Sequence, residues 1–259
     1  TWNTNAYRLR GTQAVGVLRI LENNVIIDGL QVECYRDGSD PDGITAYSGT
    51  TNTTISNNII KYTGSGTTGS GIGFPDISNG TNYAYNNIVY GFRGTNIYVR
   101  GPSSSAWGIV YNNTVIGGGY GFRGRGGYTL FKNNVAFGTA SSSYLNDGIH
   151  ASSTNNAGSV DALPGSSTVS LTGIATSSLF IDGDNNDYHI FITGLLANTG
   201  ANLSADSLLS FSGDIDRETR SGTWDIGADE AESTAPTVSL TTPARGATVW
   251  GNTATVSAT

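Results

Sequence analysis

An asparagine pair returns through this chain in one setting: LRILENNVII, TTISNNIIKY, YAYNNIVYGF, GIVYNNTVIG and TLFKNNVAFG. The pairs are Asn23-Asn24, Asn57-Asn58, Asn86-Asn87, Asn112-Asn113 and Asn133-Asn134, each set among short alternating apolar residues. GFRG also occurs twice, at Gly91 to Gly94 and Gly121 to Gly124. Alternation with period two argues for strands, not helices. An antiparallel sandwich would place hairpin signals about every 8–12 residues. Here the phrase returns every ~20–35 residues, the length of one turn of a solenoid. In such a coil each turn lies on the one before, so like positions sit above like positions. A sixth pair, Asn155-Asn156 in ASSTNNAGSV, lacks the apolar setting and reads as accidental.

Successive turns of a parallel coil lie about 4.8 Å apart. An asparagine at an inward bend can pass amide hydrogen bonds from turn to turn, satisfying backbone groups that the bend leaves over. The predicted ladder is Asn24, Asn58, Asn87, Asn113 and Asn134. Two glycine- and serine-rich stretches, residues 63–83 and 101–108, read as loops that absorb differences in turn length. The fold class is therefore all-β, a parallel solenoid.

Composition narrows the function. The formal net charge is −7, with only two lysines, Lys61 and Lys132. A nucleic-acid partner needs a basic face, and none is written here. No apolar run reaches membrane-spanning length. Cys34 is the single cysteine, so no intrachain disulfide forms. Thirteen tyrosines and eight phenylalanines in alternating runs supply area to bury, which argues against a disordered linker. The chain opens without methionine and reads as a mature or excised piece.

The NNI and NNV turns from about residue 10 to 160 resemble right-handed parallel β-helix proteins of the bacterial secreted type, the superfamily that includes pectate-lyase-like polysaccharide enzymes. The segment from Ser178 to Glu230, ending GDIDRETRSGTWDIGADE, resembles the closing segment of many such proteins. The resemblance implies a right-handed β-helix over residues 1–230 whose tail caps the last turn. Trp224 and Ile226 would fold over that end, pinned by Asp214, Asp216 and Arg217. Residues 231–236 read as a linker. Residues 237–259 are similar to the first strands of a bacterial immunoglobulin-like module, either cut short or completed by strand donation from another copy.

Family enzymes cleave acidic polysaccharides by β-elimination, which needs a cation on the substrate carboxylate, a base and an acid. The candidate residues are Arg93 and Arg123, equivalent in GFRG, with Lys61 and His150. In the competing reading these arginines pair with Asp40, Asp42 or Asp147. Hydrolase relatives use paired carboxylates. Asp40 and Asp42 are close in sequence, but no third acid accompanies them and the relatives' Gly-His-Gly and Arg-Ile-Lys motifs are absent. DGDNND (Asp182, Asp184, Asp187) is an oxygen-rich turn that partly resembles a calcium loop without its distal glutamate. His189 reads as a structural residue of the closing strand.

The expectation is an extracellular or cell-surface, non-catalytic rod or filament protein that binds polysaccharide or other copies of itself. The alternative is a polysaccharide lyase acting on acidic glycans.

Overall fold

The computed structural model describes residues 1–12, 16–35, 42–160 and 162–231. Within them the chain winds as an all-β parallel solenoid of about six turns, with three strand-bearing sides. The first face stacks Leu9–Gly11, Gln31–Cys34, Ile59–Tyr62, Ile88–Tyr90, Thr114–Ile116, Val135–Phe137, Ala157–Gly158 and Val169–Ser170. The second stacks Leu18–Ile20, Ile44–Ala46, Ser70–Phe74, Thr95–Arg100, the start of Tyr120–Lys132, and Ser142–Ile149. The third stacks Ile26–Asp28, Thr54–Ser56, Gly80–Tyr85, Ala106–Tyr111 and the end of Tyr120–Lys132. Every pairing between turns is parallel. Ser70–Phe74 and most of Gly80–Tyr85 fall inside residues 63–83, so that stretch builds the walls of a turn as well as its loops.

Alternation aims one column of each face inward. The first face contributes Val32, Ile60, Val89, Val115 and Ala136, in register. The second contributes Ile44, Ile72, Ile97, Phe122 and Tyr144. The third contributes Ile55, Ala84, Val110 and Phe131. All are buried in one apolar cluster. Phe122 and Tyr144 stack with ring centres 4.9 Å apart, a contact that only a parallel, in-register coil makes between residues so placed.

The asparagine pairs form the corner from the third face to the first. The first member of each pair takes a left-handed backbone, with φ of 55° at Asn57, 51° at Asn86, 49° at Asn112, 54° at Asn133 and 51° at Asn155. Asparagine tolerates this region better than other non-glycine residues. The turn it makes points the second member inward. Asn58, Asn87, Asn113 and Asn134 then form the ladder. Nδ2 of each donates to Oδ1 of the next, at 3.0 Å from Asn58 to Asn87, 2.9 Å from Asn87 to Asn113 and 3.0 Å from Asn113 to Asn134. Each Oδ1 also accepts the backbone N–H of the asparagine one turn earlier.

Two assignments change. Asn24 is outside this ladder. It lies at the other end of the third face's first strand, exposed, and accepts 3.1 Å from Nδ2 of Asn52. Leu30 holds the first-turn position and donates its N–H to Oδ1 of Asn58 at 2.9 Å. Conversely, the sixth pair belongs: Oδ1 of Asn156 accepts from Nδ2 of Asn134 at 3.2 Å and from its N–H at 3.1 Å.

The tail, from Leu171 to Ala231, does not close the end of the coil. It runs back along its flank, over the asparagine corner. Asn155 donates to the Thr199 carbonyl, Asn133 to Ala201, Asn112 to Asp225 and Gly227, and Asn86 to Gly213. Arg217 reaches Asp28 of an early turn at 2.6 Å. The first members of the pairs are thus fasteners for the tail. Trp224 is buried against Ile109, Tyr111 and Leu130 of the third face and Leu203 of the tail. Ile226 is buried against outward residues of the first, among them Ile88 and Val135. Those outward apolar rows give the tail apolar area to bury there. An antiparallel hairpin, Phe180–Asp182 with Asp187–Ile190, packs in the same layer. Asp214 accepts the N–H groups of Asp216, Glu218 and Glu230, and so holds the returning turn together.

Asp40, residues 232–236 of the linker and the stretch 237–259 read as immunoglobulin-like lie outside the described residues.

Candidate functional site

With the tail over the first and third faces, the second face is the one it leaves uncovered. Its outward row is Arg19, Thr45, Gly73, Tyr98, Arg123 and Leu145, in register. Two arginines stand on it, each beside a tyrosine: Tyr98 on the row itself and Tyr47 next to it in the chain fold. Arg19 lies over the Tyr47 ring at 4.6 Å and Arg123 over Tyr98 at 5.3 Å. Tyr47 is 51% exposed. At the corner toward the third face, Trp107, Tyr128 and His150 form a half-buried aromatic group. Trp107 is 5.2 Å from Tyr128 and 5.0 Å from His150 between ring centres. At the opposite corner, Gly91, Arg93, Gly118, Gly119, Ala140 and Ser141 line an open groove of about 430 Å³. Gly118 and Gly119 have no room for a side chain, since a Cβ would fall 2.2 Å from the Phe92 carbonyl oxygen and 2.0 Å from that of Arg93. Bare backbone therefore forms the groove floor, and Arg93 stands exposed beside it with no ion-pair partner among the described residues.

The four residues proposed for elimination chemistry are not brought together. Thr95 pairs with Tyr120, so Arg123 falls opposite Tyr98 and not beside Arg93. The two GFRG phrases are out of register, and the two arginines that hold equivalent places in them do not stack. Arg123 donates to Oδ2 of Asp147 through Nε at 3.0 Å and Nη2 at 2.8 Å, the pairing that the competing reading anticipates. Lys61 lies on the first face, opposite Glu33 and Tyr90, with Nζ 3.9 Å from the centre of the Trp2 ring. Burial pulls its ammonium below the usual lysine value. His150 accepts the Ser152 N–H at 3.2 Å at the aromatic corner. Of the paired-carboxylate reading, Asp42 accepts the Ser70 N–H at 2.7 Å, a structural bond between turns.

The DGDNND turn does not converge its oxygens either. Asp182 accepts from Asn185 at 2.8 Å, and Asp182 and Asp184 line a small pocket. Asp187 turns away to the ring of His189. The cluster that does form joins distant segments: His189, Asp216 and Asp229 place one ligand atom each within 4.8 Å of one another. Nδ1 of His189 meets Asp187, and Nε2 meets Oδ2 of Asp216 at 2.9 Å. The Asp216 bond, against the opposing effect of burial and helped by Asp187, raises the imidazole to about 9. Asp216 is lowered by the same bond. Asp229 is pushed up to about 6 by burial. The sequence hint for this cluster was the i, i+2 spacing of Asp187 and His189 together with the acids around residue 216, but only the returning tail joins them.

A pH dependence follows for the metal-free protein. The folded value of His189 lies above its ordinary 6.5. The stability it contributes is complete below pH 6.5 and is lost as pH rises through about 9. Asp187 and Asp216, both lowered, stay ionised across that window. Asp229, with its value of about 6, is ionised over most of it. Urea midpoints at pH 6 and pH 9.5 should differ in the wild-type chain, by the equivalent of about 2–4 °C in melting temperature for each kcal/mol lost. His189→Gln should remove most of that difference.

No helix among the described residues is long and apolar enough to cross a membrane. No family model, curated protein or solved structure matches this chain.

Proposed function

We propose that the chain is an extracellular, non-catalytic β-solenoid rod that binds polysaccharide along its second face. One observation carries the reading. The tail covers the first and third faces with apolar contacts, while the second keeps two arginine–tyrosine pairs at its surface, Arg19 with Tyr47 exposed and Arg123 with Tyr98 half-buried. Sugar rings stack on exposed aromatic side chains, whose flat faces cost little conformational entropy to hold in place. The parallel register sets both pairs on one face along the axis, which suits an extended polymer. The dispersal of Arg93, Arg123, Lys61 and His150 supports binding without turnover. A right-handed helix of the pectate-lyase-like superfamily, with an immunoglobulin-like module after it, is the finer architecture that we infer from the sequence. Self-association end to end belongs to the same reading.

A lyase is the second reading, favoured by the exposed guanidinium of Arg93, which has no ion-pair partner among the described residues, beside an open groove. Affinity electrophoresis in polygalacturonate, alginate and neutral xylan separates the two. The rod reading expects retardation by at least one polymer. Tyr98→Ala should weaken it about 5–10-fold, the equivalent of roughly 1 kcal/mol for one lost stacking contact. Absorbance at about 235 nm, where unsaturated uronates absorb, should stay flat with and without calcium. A rise in that absorbance that Arg93→Ala abolishes would replace this reading with the lyase.

A further inference from the structure

We propose that His189, Asp216 and Asp229 bind one divalent transition-metal ion, with Asp187 behind the imidazole, and that this ion ties the hairpin to the returning tail. The three ligands come from three segments. His189 lies on the strand Asp187–Ile190, Asp216 in the turn held by Asp214, and Asp229 near the end of the described tail.

Asp229 is the independent pointer to a cation. It is only 5% exposed, accepts the Ile190 N–H through Oδ2 at 2.8 Å, and has no cationic side chain within 4 Å of its carboxylate among the described residues. Its nearest cation is the His189 imidazolium, which is already bonded to Asp216 and Asp187, and a buried carboxylate that lacks a close counter-charge of its own is costly. Arg220 is near, but it spends its Nη1 on the Asp229 carbonyl and on Glu230. Around the imidazole stand three carboxylates, Asp187, Asp216 and Asp229. The imidazolium is shared among all three, and Arg220 acts on Asp229 only at longer range.

The geometry suits an ion held by nitrogen and oxygen. Asp187 on Nδ1 fixes the ring with Nε2 on Asp216, the carboxylate–histidine–metal arrangement, and Asp229 belongs to the same group of ligand atoms within 4.8 Å. Two ligand atoms each about 2.1 Å from a tetrahedral ion lie about 3.4 Å apart. The Nε2 to Asp216 distance of 2.9 Å therefore needs only a small opening. Binding displaces the Nε2 proton to solvent, so affinity rises with pH. An imidazole with two carboxylates selects ions such as Zn²⁺, Co²⁺ or Mn²⁺. Calcium, which takes six to eight oxygen ligands, is a poor match.

The test uses the full chain stripped with EDTA. Titration with Co²⁺ at pH 7.5 should give a visible ligand-field absorption that saturates at one equivalent and is displaced by Zn²⁺. Either ion should raise the melting temperature. His189→Gln and Asp216→Asn should abolish the absorption. Asp187→Asn keeps the three ligands and should weaken affinity about 10–100-fold. The proposal is overturned if the wild-type chain gives no saturable Co²⁺ absorption, if His189→Gln binds as the wild type does, or if calcium alone raises the melting temperature. The wild-type titration decides even where a variant fails to fold.

Discussion

Arg220→Ala should unfasten the tail and lower stability by about 3–5 kcal/mol, the usual cost of removing one partner from a buried ion pair. The Arg220 side chain has no solvent exposure and bonds in five directions. Nη1 reaches Glu230 at 3.0 Å and the Asp229 carbonyl at 3.3 Å. Nη2 reaches Ala228 at 2.7 Å, Gly227 at 3.0 Å and Oδ1 of Asn86 at 3.2 Å. It therefore joins the folded-back end of the tail to the coil itself. Truncation leaves Glu230 and several carbonyls buried without their donor. Limited proteolysis should then cut first between residues 196 and 231, and Trp224 fluorescence should shift toward that of a hydrated indole. Arg220→Lys keeps the charge but not the planar fork, so it should recover only part of the loss. A change within about 0.5 kcal/mol, the range of ordinary surface substitutions, would mean that the tail is held some other way.

Asn113→Ala should cost a similar amount, about 3–5 kcal/mol, for a different reason. Its Nδ2 donates to the Ala84 carbonyl at 2.9 Å, the Tyr111 carbonyl at 3.0 Å and Asn134 at 3.0 Å. Its Oδ1 accepts from the N–H of Asn87 at 3.0 Å and from Nδ2 of Asn87 at 2.9 Å. Alanine removes all five and leaves the buried backbone N–H of Asn87 without its acceptor. Each such unmet group costs about 1–3 kcal/mol. Asn113→Asp should be worse, because a carboxylate would lose the donors and face two carbonyl oxygens. Asn24→Gly is the control. It keeps the left-handed backbone, removes only an exposed contact with Asn52, and should stay within about 0.5 kcal/mol. Urea unfolding of the three variants gives the comparison directly.

These two substitutions also mark what could be read from the letters. The coil was legible, because apolar alternation around Asn57-Asn58, Asn86-Asn87, Asn112-Asn113 and Asn133-Asn134 states both the strand period and the stacking position. Asn23-Asn24 carries the same letters at another corner. Only the register of Ile26 against Thr54 tells them apart, and that register depends on loop length more than on local composition. The pair at 155–156 was missed because its flanks are small and polar, although Ala157 still packs as an outward residue of the first face. Arg93 and Arg123 share a phrase but not a rung, since the repeat in sequence is longer than the turn between Thr95 and Tyr120. The tail's return was hidden for a deeper reason. Its bonds to the coil use the carbonyls of Thr199, Ala201, Gly213, Asp225 and Gly227, a group that every residue carries. The cluster at His189 depends on that return, so it was hidden with it.

Side-chain amide exchange measures both roles of the pairs at once. In an asparagine-labelled NMR sample placed in D₂O, the NH₂ signals of Asn87, Asn113 and Asn134 should persist until global unfolding exchanges them, because they lie inside the coil. Those of Asn86, Asn112 and Asn133 should persist as well, because the tail covers them, and should vanish early in Arg220→Ala. Asn24 and Asn52, exposed, should exchange at once. Rapid exchange at Asn113, or protection at Asn112 that ignores the loss of Arg220, would contradict the doubly paired corner on which the fold is built.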